Sequence, residues 1–188
     1  MTTVVGIDSS LTAAGIAAIE HPSTAPNPNT PRLNTVGERG ARDATIVDRA
    51  TRVHRQFERI IRAMPASVRL VVVEGLPVTA PNPSTASLFQ DRAALLLRVV
   101  GFLAAKRIPV VEVNPATLKL WATGNGKADK AQVVAAMREL WPYAQIRNDN
   151  EADALGLATI GCQQLRWYAP ELIHHHGPRI NWPRELSR

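Results

Sequence analysis

Three acidic residues lie where a predicted strand ends or a predicted helix begins, and their side chains could bind a divalent metal ion. Asp8 ends the apolar run TTVVGID, Glu74 follows the β-branched run VRLVVV, and Asp153 lies in NEADALGLATIG. A carboxylate in an apolar setting is unfavourable unless a cation or a hydrogen bond compensates it. Mg²⁺ and Mn²⁺ prefer oxygen ligands, and two such ions about 3.5 to 4 Å apart promote phosphodiester hydrolysis. The three acids predict such a site, provided that the fold brings them together.

Each acid also has an interpretation without chemistry. Asp8 and Glu74 could be solvated strand ends. The segment NEAD could start a helix, with Asn150 as its N-cap and the acids beside the positive end of the helix dipole. Their shared setting favours the metal site, because small residues would let the last helix lie close to the sheet. These small residues are Ala152, Ala154 and Gly156.

The order of the predicted elements determines where the acids would meet. TTVVGID and AAGIAAIE, joined by the turn SSLT, predict an antiparallel hairpin, and a third strand is expected around RLNTVGE. VRLVVVEG is typical of a strand buried on both faces, and IPVVEV predicts a short fifth strand. Helices are predicted within residues 42–64, over about 85–105, from Asn114 and Pro115 onward, and over about 128–140 and 151–168.

This order predicts an α/β fold with a mixed five-stranded sheet, in which an antiparallel meander adjoins parallel strands and helices flank the sheet. Ribonuclease-H-like folds have this order. Functional groups gather at the carboxyl ends of strands in open sheets of this kind. Asp8 and Glu74 both lie at such ends, so neighbouring strands would bring them together.

Length and composition indicate one compact domain with a basic surface. The chain has 188 residues with 45% hydrophobic content, a formal charge of +6 and a pI near 10.2, which favours a polyanionic partner. The single cysteine, Cys162, cannot form an intrachain disulfide, and no secretory signal is recognised, so we expect a reducing, intracellular setting. The run AALLLRVVGFLAA is too short to span a bilayer. We expect a ribonuclease-H-like domain over residues 1–168 and an irregular basic tail over residues 169–188.

Four blocks of the sequence resemble the RuvC-type Holliday-junction resolvases, a family of ribonuclease-H-like nucleases. The blocks are GIDSSLTAAGIAAI, VVVEG, the segment from SLFQD to KADKAQV, and NEADALGLATIGC. NPATLK and GNGKADKAQV are the most specific parts. The resemblance implies that Asp8, Glu74 and Asp153 bind metal and that Lys119 and Lys130 contact DNA near the scissile phosphate. Lys127 is an additional basic residue of the same loop.

The fourth metal ligand stays open between three neighbouring residues. The family usually has Asp or His three residues before the last aspartate, where this chain has Asn150. An amide oxygen can ligate a cation but cannot act as a base. Asp149 and Glu151 flank this position, and helical geometry places Asp149 nearer the face of Asp153.

The resemblance implies a metal-dependent endonuclease that resolves Holliday junctions as a homodimer, through the apolar helix around residues 86–104. Asp8 would bridge two Mg²⁺ or Mn²⁺ ions, and Lys119 or Lys130 would offset charge on the phosphate. The loop LPVTAPNP lacks the aromatic wedge that bacterial members carry after the second acid, so forks and flaps are further expected substrates. The motif DSS resembles phage-encoded members, which would place the protein in the cytoplasm of a host cell.

Three other functions remain open. The same fold could bind branched DNA without cutting it, with the acids serving as caps and strand ends. It could also hydrolyse RNA–DNA hybrids. GID before a small-residue hairpin resembles the first phosphate-binding turn of actin-like and sugar-kinase-like ATPases too, but those proteins need a second lobe, for which this chain is too short.

Overall fold

A computed structural model describes residues 2–24, 30–76, 85–168 and 180–186. Every predicted strand and helix is present. The predicted loop LPVTAPNP, apart from its first residue Leu76, and most of the predicted tail lie outside the described residues. The elements are β1 (Thr3–Asp8), β2 (Ala14–Glu20), β3 (Arg32–Val36), α1 (Ile46–Ala63), β4 (Val68–Glu74), α2 (Ala86–Ala105), β5 (Val110–Val113), α3 (Pro115–Thr123), α4 (Lys130–Leu140), α5 (Asp149–Gln164) and a 3₁₀ turn (Arg184–Leu186).

The five strands form one mixed sheet in the order β3-β2-β1-β4-β5. β1 pairs antiparallel with β2, and β2 with β3, whereas β1 pairs parallel with β4, and β4 with β5. This confirms the predicted meander beside parallel strands. Ile7 of β1 pairs with Val73 of β4. The next residue of each strand is an acid, so Asp8 and Glu74 lie side by side at the carboxyl ends of these two strands.

The alternation of side chains along the strands builds two cores and also orients the acids. Val5 and Ile7 of β1 pack toward α1 and α2, while Val4 packs toward α3, α4 and α5. In β4, Leu70 and Val72 belong to this second core. Because strand side chains alternate between faces with a period of two residues, Asp8 and Glu74 lie on the same face as α5.

Two strand glycines allow α5 to lie directly on that face. A Cβ atom at Gly6 would come within 1.9 Å of the Ala154 carbonyl oxygen, and one at Gly15 within 1.9 Å of the Asn150 carbonyl oxygen. The close contact predicted from small residues of α5 is therefore made partly by glycines of the sheet. Gly156 serves a different contact, because its missing Cβ leaves room for Leu118 of α3.

Helix α5 begins and ends earlier than the predicted 151–168, and Asn150 is not its N-cap. The N-cap is Asn148, whose side chain accepts a hydrogen bond from the Glu151 amide at 2.9 Å. Asn150 is therefore the second helical residue, and Asp153 lies in the second turn rather than the first. At the other end the backbone turns at Arg166, which has a positive φ of 59°.

The described part of the predicted tail packs against the domain. Leu186 is buried in the core beside α5, and Ile180 and Trp182 pack around it. The boundary at residue 168 stays a prediction. None of the helices in the described ranges has both the length and the apolarity needed to cross a bilayer.

Candidate active site

Six of the residues singled out from the sequence line one cleft of about 410 Å³ at the carboxyl ends of β1 and β4. We call it the catalytic cleft. Different elements supply its polar side chains, so only the folded chain brings them together. They are Asp8 from β1, Glu74 from β4, Lys119 from α3, Lys130 from α4, and Asn150 and Asp153 from α5.

Asp8 and Glu74 are hydrogen-bonded to each other in the catalytic cleft. Asp8 is 5% exposed, and burial raises the pKa of its carboxyl, against the opposing effect of a hydrogen bond with Glu74. Burial, followed by the nearby charges of Asp8 and Asp153, raises the pKa of Glu74 to about 9. Two close carboxyl groups cannot both ionise easily. Of the two carboxyl groups, Glu74 is therefore the one whose protonated form the site favours.

Asp153 approaches this pair from α5. Burial and then the charges of Asp8 and Asp149 raise the pKa of Asp153 to about 7, while Lys130 and Lys119 act in the opposite direction. Three desolvated carboxyl groups thus face one space, and each would gain from a cation placed between them.

The two predicted catalytic lysines differ in how they are held. Lys130 is the first residue of α4, fixed there by the Asp129–Gln132 capping box, and its ammonium group pairs with Asp149. This hydrogen bond raises the pKa of Lys130. Lys119 lines the cleft from α3. Lys127 does not line the catalytic cleft, although it belongs to the loop that leads to Lys130.

The three candidates for a fourth ligand have different surroundings. Asn150 lines the catalytic cleft. Asp149 is engaged by Lys130, which lowers its pKa. The Glu151 carboxylate is fully buried elsewhere, where it accepts hydrogen bonds from the Arg147 backbone at 2.8 Å and from the Thr35 hydroxyl at 3.0 Å. Glu151 therefore stabilises the start of α5, and Asn150 is the candidate best placed for the cleft.

Comparison with known proteins identifies the family. The family model described as crossover junction endodeoxyribonuclease RuvC matches residues 4–161. The chain belongs to the RuvC family. A RuvC of Neorickettsia sennetsu is 30% identical over 136 residues, which cover 72% of this chain and 76% of that protein. A RuvC of Prochlorococcus marinus is 38% identical over 84 residues, or 44% of this chain and 52% of the relative.

Solved RuvC structures share the fold. Thermus thermophilus RuvC superposes with a TM-score of 0.59 at 22% identity, covering 83% of this chain and 90% of that one. The same protein in complex with Holliday junction substrate gives a TM-score of 0.57, also at 22% identity, covering 84% and 91%. The aligned part of this chain spans about half the length of several curated RuvC proteins that it matches.

The RuvC fold implies a divalent metal, and the donor set of the catalytic cleft suits one. All candidate ligands present oxygen atoms, as hard cations require, and three carboxyl groups there are destabilised in their charged form. Within the described ranges no three His, Cys, Asp or Glu side chains are already spaced to hold a single ion. A cation held between these carboxyl groups would favour their charged forms, which burial and mutual repulsion now disfavour.

Sequence reasoning missed Arg92, which lines the catalytic cleft from α2. Its guanidinium Nη2 lies 3.6 Å from the Glu74 Oε2 atom. Its Nε atom is buried without a hydrogen-bond partner among the described residues. A signal was available, because Arg92 is spaced three and seven residues before Leu95 and Val99, two buried residues of α2. An arginine on the same face of an apolar helix as its buried residues needs an anionic neighbour.

Gln56 was missed too, and it fixes the turn that follows Asp8. This buried side chain of α1 donates hydrogen bonds of 2.8 Å to the carbonyl oxygens of Ser10 and Val36. It thereby joins the β1–β2 turn to the end of β3. A glutamine inside an amphipathic helix gives no clear sequence signal for such a role.

Proposed function

We propose that this protein is a metal-dependent, structure-selective endonuclease that resolves Holliday junctions, and accepts other branched DNA, by phosphodiester hydrolysis. One observation carries the proposal: three carboxyl groups, one buried and two partly buried, and two lysines from five different elements line one cleft in a chain of the RuvC family. The relatives are named crossover junction endodeoxyribonucleases, and the Thermus thermophilus structure holds Holliday junction substrate.

Asp8, Glu74 and Asp153, with the Asn150 amide oxygen, would hold two Mg²⁺ or Mn²⁺ ions. Such ions supply charge stabilisation to the phosphate and make water a stronger nucleophile at neutral pH. Binding requires deprotonated ligands, so Glu74 must give up the proton that the site favours on it. Arg92, at 3.6 Å from Glu74, favours the charged form of that carboxylate.

Lys119 and Lys130 would contact the phosphate that is cut. Lys130 stands at the first position of α4, and its ammonium group is oriented by Asp149. Lys119 lines the same cleft from α3. Two cations next to the developing negative charge of a pentavalent phosphate stabilise it in the transition state. We assign Lys127, outside the cleft lining, to more distant phosphate contacts.

We also propose that the protein works as a homodimer through the outer face of α2. Exposed small or apolar residues recur there at helical spacing. Leu97 is 70% exposed, and a Cβ atom at Gly101 would meet no atom within 4 Å. Two paired nicks across a junction need two catalytic clefts, which a twofold dimer supplies. The four residues of this face are Ala94, Leu97, Gly101 and Ala104.

The dimer is tested by replacing one of these residues. Leu97→Glu should convert a dimer into a monomer in sedimentation velocity, whereas Leu120→Glu, at another exposed leucine, should not. A wild-type protein that is a stable monomer at working concentration contradicts the dimer.

The remaining assignments, a reducing cytoplasmic location and a basic tail from residue 169, belong to the same proposal.

The nuclease activity is tested with three labelled substrates: a synthetic four-way junction, a linear duplex and an RNA–DNA hybrid. Each is incubated with and without Mg²⁺ or Mn²⁺, using wild type, Asp8→Asn and the exposed control Asp43→Asn. We expect paired nicks in the junction with metal for wild type and Asp43→Asn, and binding without cutting for Asp8→Asn. If wild type binds the junction but never cuts it, the protein is a non-catalytic binder. Cutting of the hybrid alone would make it a ribonuclease-H-type enzyme.

A further inference from the structure

A second cleft of about 410 Å³ lies beside the catalytic cleft, between the β3–α1 connection and the start of α2. We call it the arginine cleft. Its lining contains more cations than acids, and the acids are Glu38, Asp48 and Asp91. Its five arginines are Arg39, Arg42, Arg49, Arg52 and Arg55.

The three acids of this cleft are already engaged. Asp48 forms the capping box at the start of α1 with Thr45. Asp91 receives a two-point contact from Arg49, at 3.0 Å from Nε and 2.7 Å from Nη2. Glu38 pairs with Arg55 at 2.5 Å and also with Arg59, which lies outside the cleft lining. These contacts leave three arginines of the cleft without a compensating acid.

Arg52 is held in place by neutral atoms only. Its Nε and Nη2 atoms donate to the backbone carbonyl of Glu38 at 3.2 and 2.7 Å, and Nη2 also donates to the Thr12 hydroxyl at 3.1 Å. Among the residues that the structure describes, no carboxylate pairs with Arg52, Arg39 or Arg42. A guanidinium that is oriented but not neutralised is suited to a bidentate contact with a phosphate.

The two clefts adjoin each other. Leu88 lines both of them, and Thr12, which accepts the hydrogen bond from Arg52, lines the catalytic cleft. A single strand of nucleic acid could therefore pass from the acids of one cleft across Thr12 and Leu88 to the arginines of the other. Backbone contacts of this kind fix the register of the substrate and carry no sequence information.

We propose that the arginine cleft binds the sugar–phosphate backbone of the DNA strand that is cut, at two or three neighbouring phosphates displaced from the scissile one. Arg52 is the preoriented contact, and Arg39 and Arg42, on either side of Gly40, are further contacts. This inference rests on the proposed nuclease function, because it takes the substrate strand to lie in the catalytic cleft.

The salt dependence of binding tests the proposal. Affinity for a labelled four-way junction is measured in EDTA over a series of salt concentrations, for wild type and for Arg39→Gln/Arg42→Gln/Arg52→Gln. The control Arg32→Gln/Arg62→Gln/Arg69→Gln removes the same charge from exposed positions at the opposite ends of β3, α1 and β4. Each lost phosphate contact should reduce the slope of log K against log salt by roughly 0.9. We expect a reduction of roughly two to three for the cleft variant, and none beyond a small general charge effect for the control.

A neutral methylphosphonate placed at each phosphate of the cut strand in turn locates the contact. Wild type should lose affinity when any of two or three neighbouring phosphates away from the nick is neutralised, and the cleft variant should be insensitive at those phosphates alone. Equal slopes for cleft and control variants, or equal sensitivity at every phosphate, overturn the proposal. If the wild-type protein binds no branched DNA, both this proposal and the proposed function are wrong. If it binds and cuts but the two variants behave alike, only the arginine cleft is wrong.

Gly40→Ala provides a second variant that keeps every charge. The three atoms nearest to a Cβ at Gly40 all belong to the Arg52 guanidinium, the closest being Nη1 at 2.8 Å. The added methyl must displace this group from its contacts with Glu38 and Thr12. We expect junction affinity to fall by about two- to tenfold, in line with the loss of one oriented charge-assisted hydrogen bond. Unchanged affinity of a folded Gly40→Ala protein contradicts the assigned role of Arg52.

Discussion

Glu74, which is partly buried, and Glu151, which is fully buried, lie on the same side of the sheet, and their surroundings are opposite. Glu151 is fully buried but is matched by the Arg147 side chain and backbone and by Thr35. Burial alone would raise its pKa, yet these hydrogen bonds outweigh burial and lower it. Glu74 has a weaker cationic neighbour at 3.6 Å and two acids nearby, and its pKa is raised to about 9.

The difference separates a structural acid from an acid that is poised to bind a cation. A buried carboxylate with well-placed donors stabilises the folded state in its charged form, whereas one without them is kept neutral by a proton. The group of Asp8, Glu74 and Asp153 therefore stores unfavourable electrostatic energy that a divalent ion would relieve. Such conflicts between stability and charge are typical of functional sites.

The largest expected effect comes from removing one charge of this group. Asp153→Asn should reduce junction cleavage by about a thousandfold or more, since it removes a ligand from the ions that stabilise the transition state. The metal-free variant should remain folded, because the charge that it loses is unfavourable there. Single-turnover cleavage and circular dichroism measure the two effects. A variant with near wild-type cleavage would remove Asp153 from the site.

Replacement of Glu151 should have the opposite profile. Glu151→Ala leaves the Arg147 amide and the Thr35 hydroxyl without their acceptor, so we expect a loss of about 2 to 3 kcal/mol in the free energy of unfolding. Cleavage per folded molecule should remain close to wild type, because this carboxylate lies outside the catalytic cleft. Urea unfolding and single-turnover cleavage at low temperature measure both. Full stability combined with lost cleavage would reverse the roles assigned to the two glutamates.

The pH dependence of stability sharpens the comparison. The folded protein keeps the Glu74 proton up to a pH near 9, whereas an unfolded glutamate releases it near 4.5. Between these values the unfolded state binds fewer protons, so the free energy of unfolding falls as the pH rises. Asp153 adds the same trend up to a pH near 7. In EDTA we expect the melting temperature to fall by roughly ten degrees from pH 5.5 to 8.5, since each pH unit in which the folded state binds one more proton changes the free energy of unfolding by about 1.4 kcal/mol.

Glu74→Gln, which mimics the protonated side chain, should flatten this decline and melt higher than wild type at pH 8.5. The control Glu139→Gln, on the surface of α4, should keep the wild-type slope. Equal slopes for wild type and Glu74→Gln would show that Glu74 is already ionised in the metal-free fold. For Glu151, whose pKa is lowered, the stabilisation is instead present above a pH near 4.5 and is lost on acidification.

The sequence was sufficient to predict the strands, the helices and the three acids that line one cleft. It was not sufficient to predict the close contacts that position these acids. Strand and helix periodicity is a local property, so the meander, the parallel strands and the helices could be read from the chain. The N-cap of α5 is Asn148 rather than Asn150. This choice depended on which of the two asparagine side chains could accept a hydrogen bond from the amide of Glu151. Arg92 and Gln56 act across elements, so their roles depend on packing that no short stretch encodes.

The smallest expected effect concerns a third kind of acid, the half-buried Glu38. Hydrogen bonds from Arg55 and then Arg59 lower its pKa, but exposed ion pairs contribute at most about 1 kcal/mol and are screened by salt. Glu38→Gln should therefore reduce the free energy of unfolding by less than that amount, and less still at high salt.

The same change frees positive charge beside the arginine cleft. Glu38→Gln should therefore tighten junction binding by about two- to fivefold at low salt, through stronger attraction of phosphates. Titrations at two salt concentrations measure this gain, which should shrink at the higher one. Weaker binding would show instead that the Glu38 carboxylate positions Arg55 for DNA, as Glu151 positions the start of α5. In that case Arg55 would also contact a phosphate of the DNA. An arginine paired with an acid could then bind DNA as well as one without such a partner.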